Sequence, residues 1–125
     1  MIHGRMHDEI GEELAAWGKV ALLETCGRTT GNAVRTAVGF VEELDGSLIV
    51  AAGTDGADWA LNLRANPRVT VTIGEEAADY DANELLDDEQ SRAVTLLILK
   101  YGTPAERLGR GPAFRLTRAG FPVND

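Results

Sequence analysis

The stretch from Trp59 to Ile73, W-A-L-N-L-R-A-N-P-R-V-T-V-T-I, holds a helix, its stop and a strand in one short run. Trp59 and Leu63 fall one turn apart, as do Asn62 and Asn66, so Trp59–Asn66 reads as a short helix with one apolar face. Pro67 ends it, because proline lacks a backbone donor and pushes Asn66 out of the helical region. Arg68–Ile73 then alternates strictly, the pattern of a half-buried strand. A helix handed straight to a strand by an Asn-Pro stop suits a crossover that caps the open end of a barrel, with Trp59 as its plug.

On the N-terminal side of this stretch, Ser47–Ala52 (S-L-I-V-A-A) reads as a strand, preceded by the hairpin signal Asp45-Gly46. Ala33–Leu44, rich in Val, Phe and Thr, reads as the strand before it. Lys19–Cys26 is an apolar run that suits a buried first strand. The two are joined by Gly27–Asn32 (G-R-T-T-G-N), which is turn chemistry. His7–Trp17 carries Ile10, Leu14 and Trp17 as an amphipathic stripe, with Gly18 as its C-cap. On the C-terminal side, a less regular strand is expected over Glu76–Ala82. A helix follows over Asp87–Tyr101, with acids in its first turn and a stripe of Val94, Leu97, Ile98 and Tyr101. Gly102–Pro112 is a loop, and Ala113–Arg118 alternates again as the last strand. Together these give a mainly β or α+β domain, a small antiparallel barrel of about six strands. It has an N-terminal helix, a short crossover helix and a longer helix before the last strand. The 125 residues fit a single domain, 1–125.

Twenty acids against twelve bases give a net charge of −8, which argues against a nucleic-acid partner. The excess is local. Glu75, Glu76, Asp79, Asp81, Glu84, Asp87, Asp88 and Glu89 form a block without a base, and the rest of the chain holds twelve acids and twelve bases. The block reads as a solvated edge that serves solubility, and a small anionic ligand elsewhere is not excluded. No run approaches the ~20 apolar residues of a membrane span. Met1–Glu13 lacks the apolar core of a signal peptide, so a cytoplasmic setting is expected.

Few residues carry chemistry of their own. His3 and His7 are spaced i, i+4 but have no third ligand at a credible spacing, so no metal site is expected. Neither Ser47 nor Ser91 lies in a nucleophile elbow. Cys26, the single cysteine, excludes an internal disulfide and reads as core. The turn Gly27-Arg28-Thr29-Thr30-Gly31 lacks the Lys-Ser/Thr ending of a Walker loop. It is either a plain strand connection, the commoner case, or a close-approach turn whose Arg28 and hydroxyls face a phosphate or carboxylate. The small residues of Gly53–Asp58 would leave backbone donors at the next helix N-terminus open to an anion.

A strand, then G-R-T-T-G, then Arg35, a D-G hairpin, V-A-A and finally W-x-x-N-L-R-A-N-P-R-V resembles the deazaflavin-dependent nitroreductase family over about Val20–Ile73. The resemblance implies the split β-barrel of the pyridoxamine-phosphate-oxidase-like flavoproteins. It also implies coenzyme F420, a deazaflavin with a phosphate and a polyglutamate tail, which passes a hydride to a small acceptor: a quinone, a nitro compound or an activated double bond. Carried over by position, the cofactor residues are Arg28, Thr29 and Thr30; Arg35, Thr36, Ala37, Val38 and Phe40; Ala51, Ala52, Gly53 and Thr54; and Asp58, Trp59 and Asn62. Arg28 and Arg35 are expected at the anionic groups, and the ring against Ala51–Gly53. Tyr101 lies near a position where members place a tyrosine at the substrate, and is the candidate donor of a proton or hydrogen bond. Arg64, Arg68, Lys100, Arg107 and Arg110 lie in or beside the cofactor segments. The chain departs from the family where members often carry Lys, at Thr29 and Thr54, and at Val38, where Pro is common. The alternatives are an FMN-binding protein of the same fold and a non-catalytic deazaflavin-binding or storage protein. A monomer or a homodimer is compatible with such a barrel.

Overall fold

The computed structural model describes residues 18–102 and 111–119. The helix expected over His7–Trp17, and Arg107 and Arg110, lie outside the described residues. The apolar run after Lys19 forms β1 (Ala21–Cys26), which turns back as β2 (Ala33–Val38), Ala21 facing Val38 and Cys26 facing Ala33. Next come β3 (Val41–Glu42), β4 (Leu48–Ala51) and the helix α1 (Asp58–Ala65). They are followed by β5 (Arg68–Ile73), β6 (Glu76–Leu85), the helix α2 (Asp87–Tyr101) and β7 (Ala113–Arg118). All pairs are antiparallel, in the order β2-β1-β5-β6-β7-β4-β3.

That order dictates the shape. β2 and β3 are the two outer strands of the sheet, yet only Gly39 and Phe40 separate them in sequence. The sheet must therefore curl until its edges approach, which makes a split barrel. The same corner explains why Ala33–Leu44 is two strands rather than the expected one, and why the sheet has seven strands. Phe40 turns into the core, and its N–H donates to Tyr101 Oη at 3.0 Å while its carbonyl accepts from Lys100 Nζ at 2.6 Å. A Cβ on Gly39 would sit 3.0 Å from Tyr101 Cε2, so the tyrosine ring lies flush on a position without a side chain.

Two apolar clusters follow from the curl. Inside the barrel, Leu23, Leu48, Val50, Val69, Val71, Tyr80, Phe114 and Leu116 pack with Trp59 and Leu63 of α1, which plugs one end. Outside it, α2 lays Ala93 and Leu97 on Ile49, Ala51, Leu85 and Ala113. At the β3–β4 hairpin, Glu43 accepts from Arg92 of α2 at 2.9 Å and from Arg115 of β7 at 3.2 Å. The Arg92 hydrogen bond chiefly, helped by Arg115, outweighs burial and holds the Glu43 carboxyl below its ordinary range.

The strand expected over Glu76–Ala82 is longer and lies at the centre of the sheet, paired to β5 on one side and β7 on the other. Ala78, Tyr80 and Ala82 point into the barrel, and the acids between them pair across strands. Asp81 accepts from Arg68 at 2.9 Å and Asp79 from the Thr70 hydroxyl at 2.8 Å. Glu84 holds Arg64 of α1 through two bonds, at 3.0 and 2.7 Å. The acid block is thus in part a set of partners and not only a solvated edge. Arg64 and Arg68, placed beside the cofactor segments by sequence, face these carboxylates.

Candidate cofactor site

The β1–β2 turn closes on itself: Gly27 N–H donates to Asn32 O and Gly31 N–H to Gly27 O, each at 2.8 Å. The Thr30 hydroxyl accepts the Asn32 N–H at 3.1 Å, and Gly31 takes φ 78°, a left-handed conformation that glycine adopts without strain. A Cβ at Gly27 would lie 3.0 Å from Asn32 O, so both glycines serve the turn itself. Thr29 and Thr30 are exposed, and Arg28 points toward α1.

Arg28 joins the turn to the helix. Its backbone N–H and its Nη1 both donate to Asn62 Oδ1, at 3.1 and 2.8 Å. Its Nη2 donates to Asp58 Oδ1 at 3.2 Å. Behind them, Asn62 Nδ2 donates to Thr25 Oγ1 at 3.1 Å. Asn62 and Thr25 are each only 2% exposed, so this is a buried polar bridge with its groups satisfied. Arg28, Asp58 and Asn62 therefore do converge. Asn62 supports Arg28 from behind, since both ends of its amide are already engaged. Trp59 is 6% exposed, its ring 5.9 Å from that of Phe114, and it plugs the barrel as the sequence reading expected. Its backbone is what lies at the helix start. Ala57 brings no capping side chain, and the Ala60 N–H turns back onto Ala57 O at 3.1 Å. Cys26, read as core, is half-buried instead, its thiol 3.7 Å from Gly31 O at the turn, because the strand ends there and its side chain leaves the barrel.

The exit of β4 runs from buried Ala51 and Ala52 through half-buried Gly53 to exposed Thr54. It is braced by a residue that sequence reasoning missed. A Cβ on Gly111 would come within 2.5 Å of Ala52 O and 2.6 Å of Thr54 O. Ala52 N–H also donates to Pro112 O at 2.8 Å, and Gln90 Nε2 holds Gly111 O at 2.7 Å. The string G-R-G-P at 109–112 is a signal of close backbone approach, although nothing in it names Ala52–Thr54 as the neighbour. Gln90 and Thr25 carried no signal.

Other expected residues lie farther off. Arg35 stands on the outer strand β2 opposite Glu24, with 3.8 Å between Nε and Oε1, and Thr36, Ala37 and Val38 continue that strand half-buried. Phe40 and Tyr101 belong to the corner at the far end of the β1–β2 hairpin, whose strands run about 17 Å at ~3.3 Å per residue. The Tyr101 hydroxyl is within 2.9 Å of Lys19 O and 3.2 Å of Phe40 O. A cavity of 570 Å³ opens at that end, lined by Leu48, Val71, Ile73 and Tyr80 with Glu42, Glu75, Glu76 and Arg118. It contains no residue of the Arg28–Asn62 bridge.

Near α1 the donor set fits a flat ring carrying an anionic chain. Half-buried Gly53, with nothing within 4 Å of the place a Cβ would take, leaves room for a planar group against backbone, and Arg28 offers donors to an oxyanion. Comparison with known proteins identifies the family. The model of the F420H(2)-dependent quinone reductase family matches residues 2–109. An F420-H2 dependent reductase, FDR-A, superposes with a TM-score of 0.65 at 27% identity, over 78% of this chain and 93% of that one. HutZ, the heme storage protein from Vibrio cholerae, shares the fold with a TM-score of 0.68 at 22% identity, over 89% of this chain and 88% of its own. A putative 5-nitroimidazole antibiotic resistance protein from Bacteroides thetaiotaomicron shares it with a TM-score of 0.64 at 13% identity, over 89% and 79%. The family match spans the turn, the crossover helix and most of the sheet, so this chain is an oxidoreductase of the split β-barrel fold and belongs to the F420H(2)-dependent quinone reductase family.

Proposed function

We propose that the protein transfers a hydride from reduced coenzyme F420 to a small organic acceptor of the quinone, nitro or activated-alkene class, and that the cofactor lies between the β1–β2 turn, the β4 exit and the start of α1. The observation that carries this reading is the convergence of Arg28, Asp58 and Asn62 beside a β4 exit built of small residues and braced by Gly111. When bound, the reduced deazaflavin supplies the hydride, and the protein's task is to bind, orient and shield it. Arg28, held in line by the Asn62 amide, meets the phosphate. The α1 start adds backbone donors, and Thr29, Thr30 and Thr54 offer hydroxyls where cations would bind a polyanion more strongly. Ala51–Gly53 sets the height of the ring above the sheet, because Gly111 and Pro112 hold that backbone from behind. Tyr101 enters as a clamp on the Gly39–Phe40 corner; its hydroxyl would have to leave two backbone carbonyls before donating a proton elsewhere.

Titration of the purified protein with coenzyme F420, read by quenching of tryptophan fluorescence, tests the reading. Saturable binding with Kd below about 100 μM, near −5.5 kcal/mol, is expected. Arg28→Ala should weaken it about tenfold or more, as loss of a charge-assisted bond implies. An Arg28→Ala protein that folds and binds as tightly as the parent removes Arg28 from the site.

A further inference from the structure

We infer that Asp58 is a built-in counter-anion: its carboxylate holds the Arg28 guanidinium in the free protein and must be displaced before an anionic ligand group can take that place. The inference rests on the cofactor reading above and extends it to a residue that sets affinity and anion selectivity. Asp58 is the first residue of α1, where a carboxylate is favoured by the helix dipole and competes with any incoming anion for the same donors. Its Oδ1 lies 3.2 Å from Arg28 Nη2, and its own carbonyl lies 3.4 Å from Nη1. The other bond to that guanidinium comes from Asn62, which is buried and stays. The Asp58 side chain is 77% exposed and Arg28 37%, so the carboxylate can swing into water and leave the arginine in position. The arrangement is a cation fixed from behind by a neutral amide and covered in front by a movable acid.

The surroundings strengthen the effect. Arg35 faces Glu24, Arg64 is held by Glu84 and Arg68 by Asp81, so the nearby arginines among the described residues each lie against a carboxylate. Asp58 therefore offsets much of the positive charge Arg28 could offer to an anionic group.

Asp58→Asn tests this, because it keeps the side-chain shape and removes the charge. Affinity for coenzyme F420, followed by fluorescence, should rise about three- to tenfold, the scale of an exposed ion pair plus the removed repulsion. Binding should also become more salt-sensitive between low and physiological ionic strength, since an uncompensated Arg28 is screened where the neutral pair was not. An equal or weaker affinity in a variant of unchanged thermal midpoint overturns the inference; Asp58→Ser serves if the Asn variant is unstable. If the parent takes no coenzyme F420 at all, the cofactor reading fails by itself. Titration with inorganic pyrophosphate, read from the amide NMR shifts of Asp58 and Trp59, still decides: tighter binding in Asp58→Asn supports the counter-anion, and equal or weaker binding refutes it.

Discussion

Asn62→Ala is the substitution that tests the connection between fold and site most directly. The side chain makes three hydrogen bonds: to the Arg28 N–H at 3.1 Å, to Arg28 Nη1 at 2.8 Å and to Thr25 Oγ1 at 3.1 Å. Each neutral bond contributes about 1 kcal/mol, and a bond to a guanidinium ordinarily about 1.5–3 kcal/mol. Because the Arg28 side chain is 37% exposed, water can replace the amide there, and its share falls to about 1 kcal/mol. The sum is about 3 kcal/mol, or roughly 10 °C in the thermal midpoint of a domain this size. Urea unfolding should show the midpoint falling while the slope, which reports the surface exposed, stays constant. A double-mutant cycle separates the parts. Thr25→Val alone strands the buried Asn62 amide, whereas in an Asn62→Leu background the same change should be nearly neutral, because both polar partners are gone. A coupling of about 1 kcal/mol is expected. If Asn62→Ala costs less than about 0.5 kcal/mol, or Thr25→Val costs the same in both backgrounds, the bridge is not what ties α1 to the β1–β2 turn.

Gly111→Ala should cost about 2 kcal/mol or more in chemical unfolding, because its Cβ meets the Ala52 and Thr54 carbonyl oxygens, which cannot rotate away. Little or no loss would mean the 111–112 segment does not brace the β4 exit. Tyr101→Phe keeps the ring on Gly39 but removes the hydroxyl that meets Lys19 and Phe40, and should cost about 1–2 kcal/mol by the same measurement. If the clamp is its whole task, kcat at a temperature where both proteins are folded should match the parent; a selective fall in kcat would restore the tyrosine as a proton donor. For pH, the Glu43 carboxyl is depressed in the folded state below its ordinary 4.5, chiefly by Arg92. Its contribution is therefore complete above that ordinary value and lost as pH falls through the lower folded one. Glu43→Gln should flatten the decline of stability below pH 4.5, and an unchanged slope would show that the Arg92–Glu43–Arg115 contact does not persist in solution.

The elements legible in the sequence are those whose pattern is decided locally. Arg68–Ile73 and Ala113–Arg118 alternate because one face lines the barrel, and Asp87–Tyr101 holds a helical stripe because it lies on one sheet face; all three match the structure residue for residue. The break at Gly39 could not be read, since its cause is a tyrosine sixty-one residues beyond Phe40, and the alternation carries on through Val41. The full β6 strand was hidden for a similar reason. Its acids look like a loop until Arg68, Thr70 and Arg64 are placed opposite them. At the site, resemblance named Arg28, Asp58 and Asn62. That Arg28 bonds to the other two, across thirty and thirty-four positions, is a property of the fold alone.

The charge of the chain takes on a different meaning once the pairs are drawn. A net −8 describes an excess gathered in one block, and part of that block faces Arg64 and Arg68. Those arginines therefore add little field at the helix start. Threonines stand at positions 29 and 54, where resembling proteins often carry lysine, so the positive potential there depends heavily on Arg28. A site with few cations is sensitive to each acid near it, because the same carboxylate removes a larger share of the attraction. That is why Asp58, exposed and weakly held, is the residue whose neutralisation should change ligand affinity more than that of any acid in the block. Glu84→Gln supplies the contrast. It frees Arg64 at a greater remove from Arg28, and screening over roughly 10 Å at ordinary salt should leave its effect on binding well below that of Asp58→Asn.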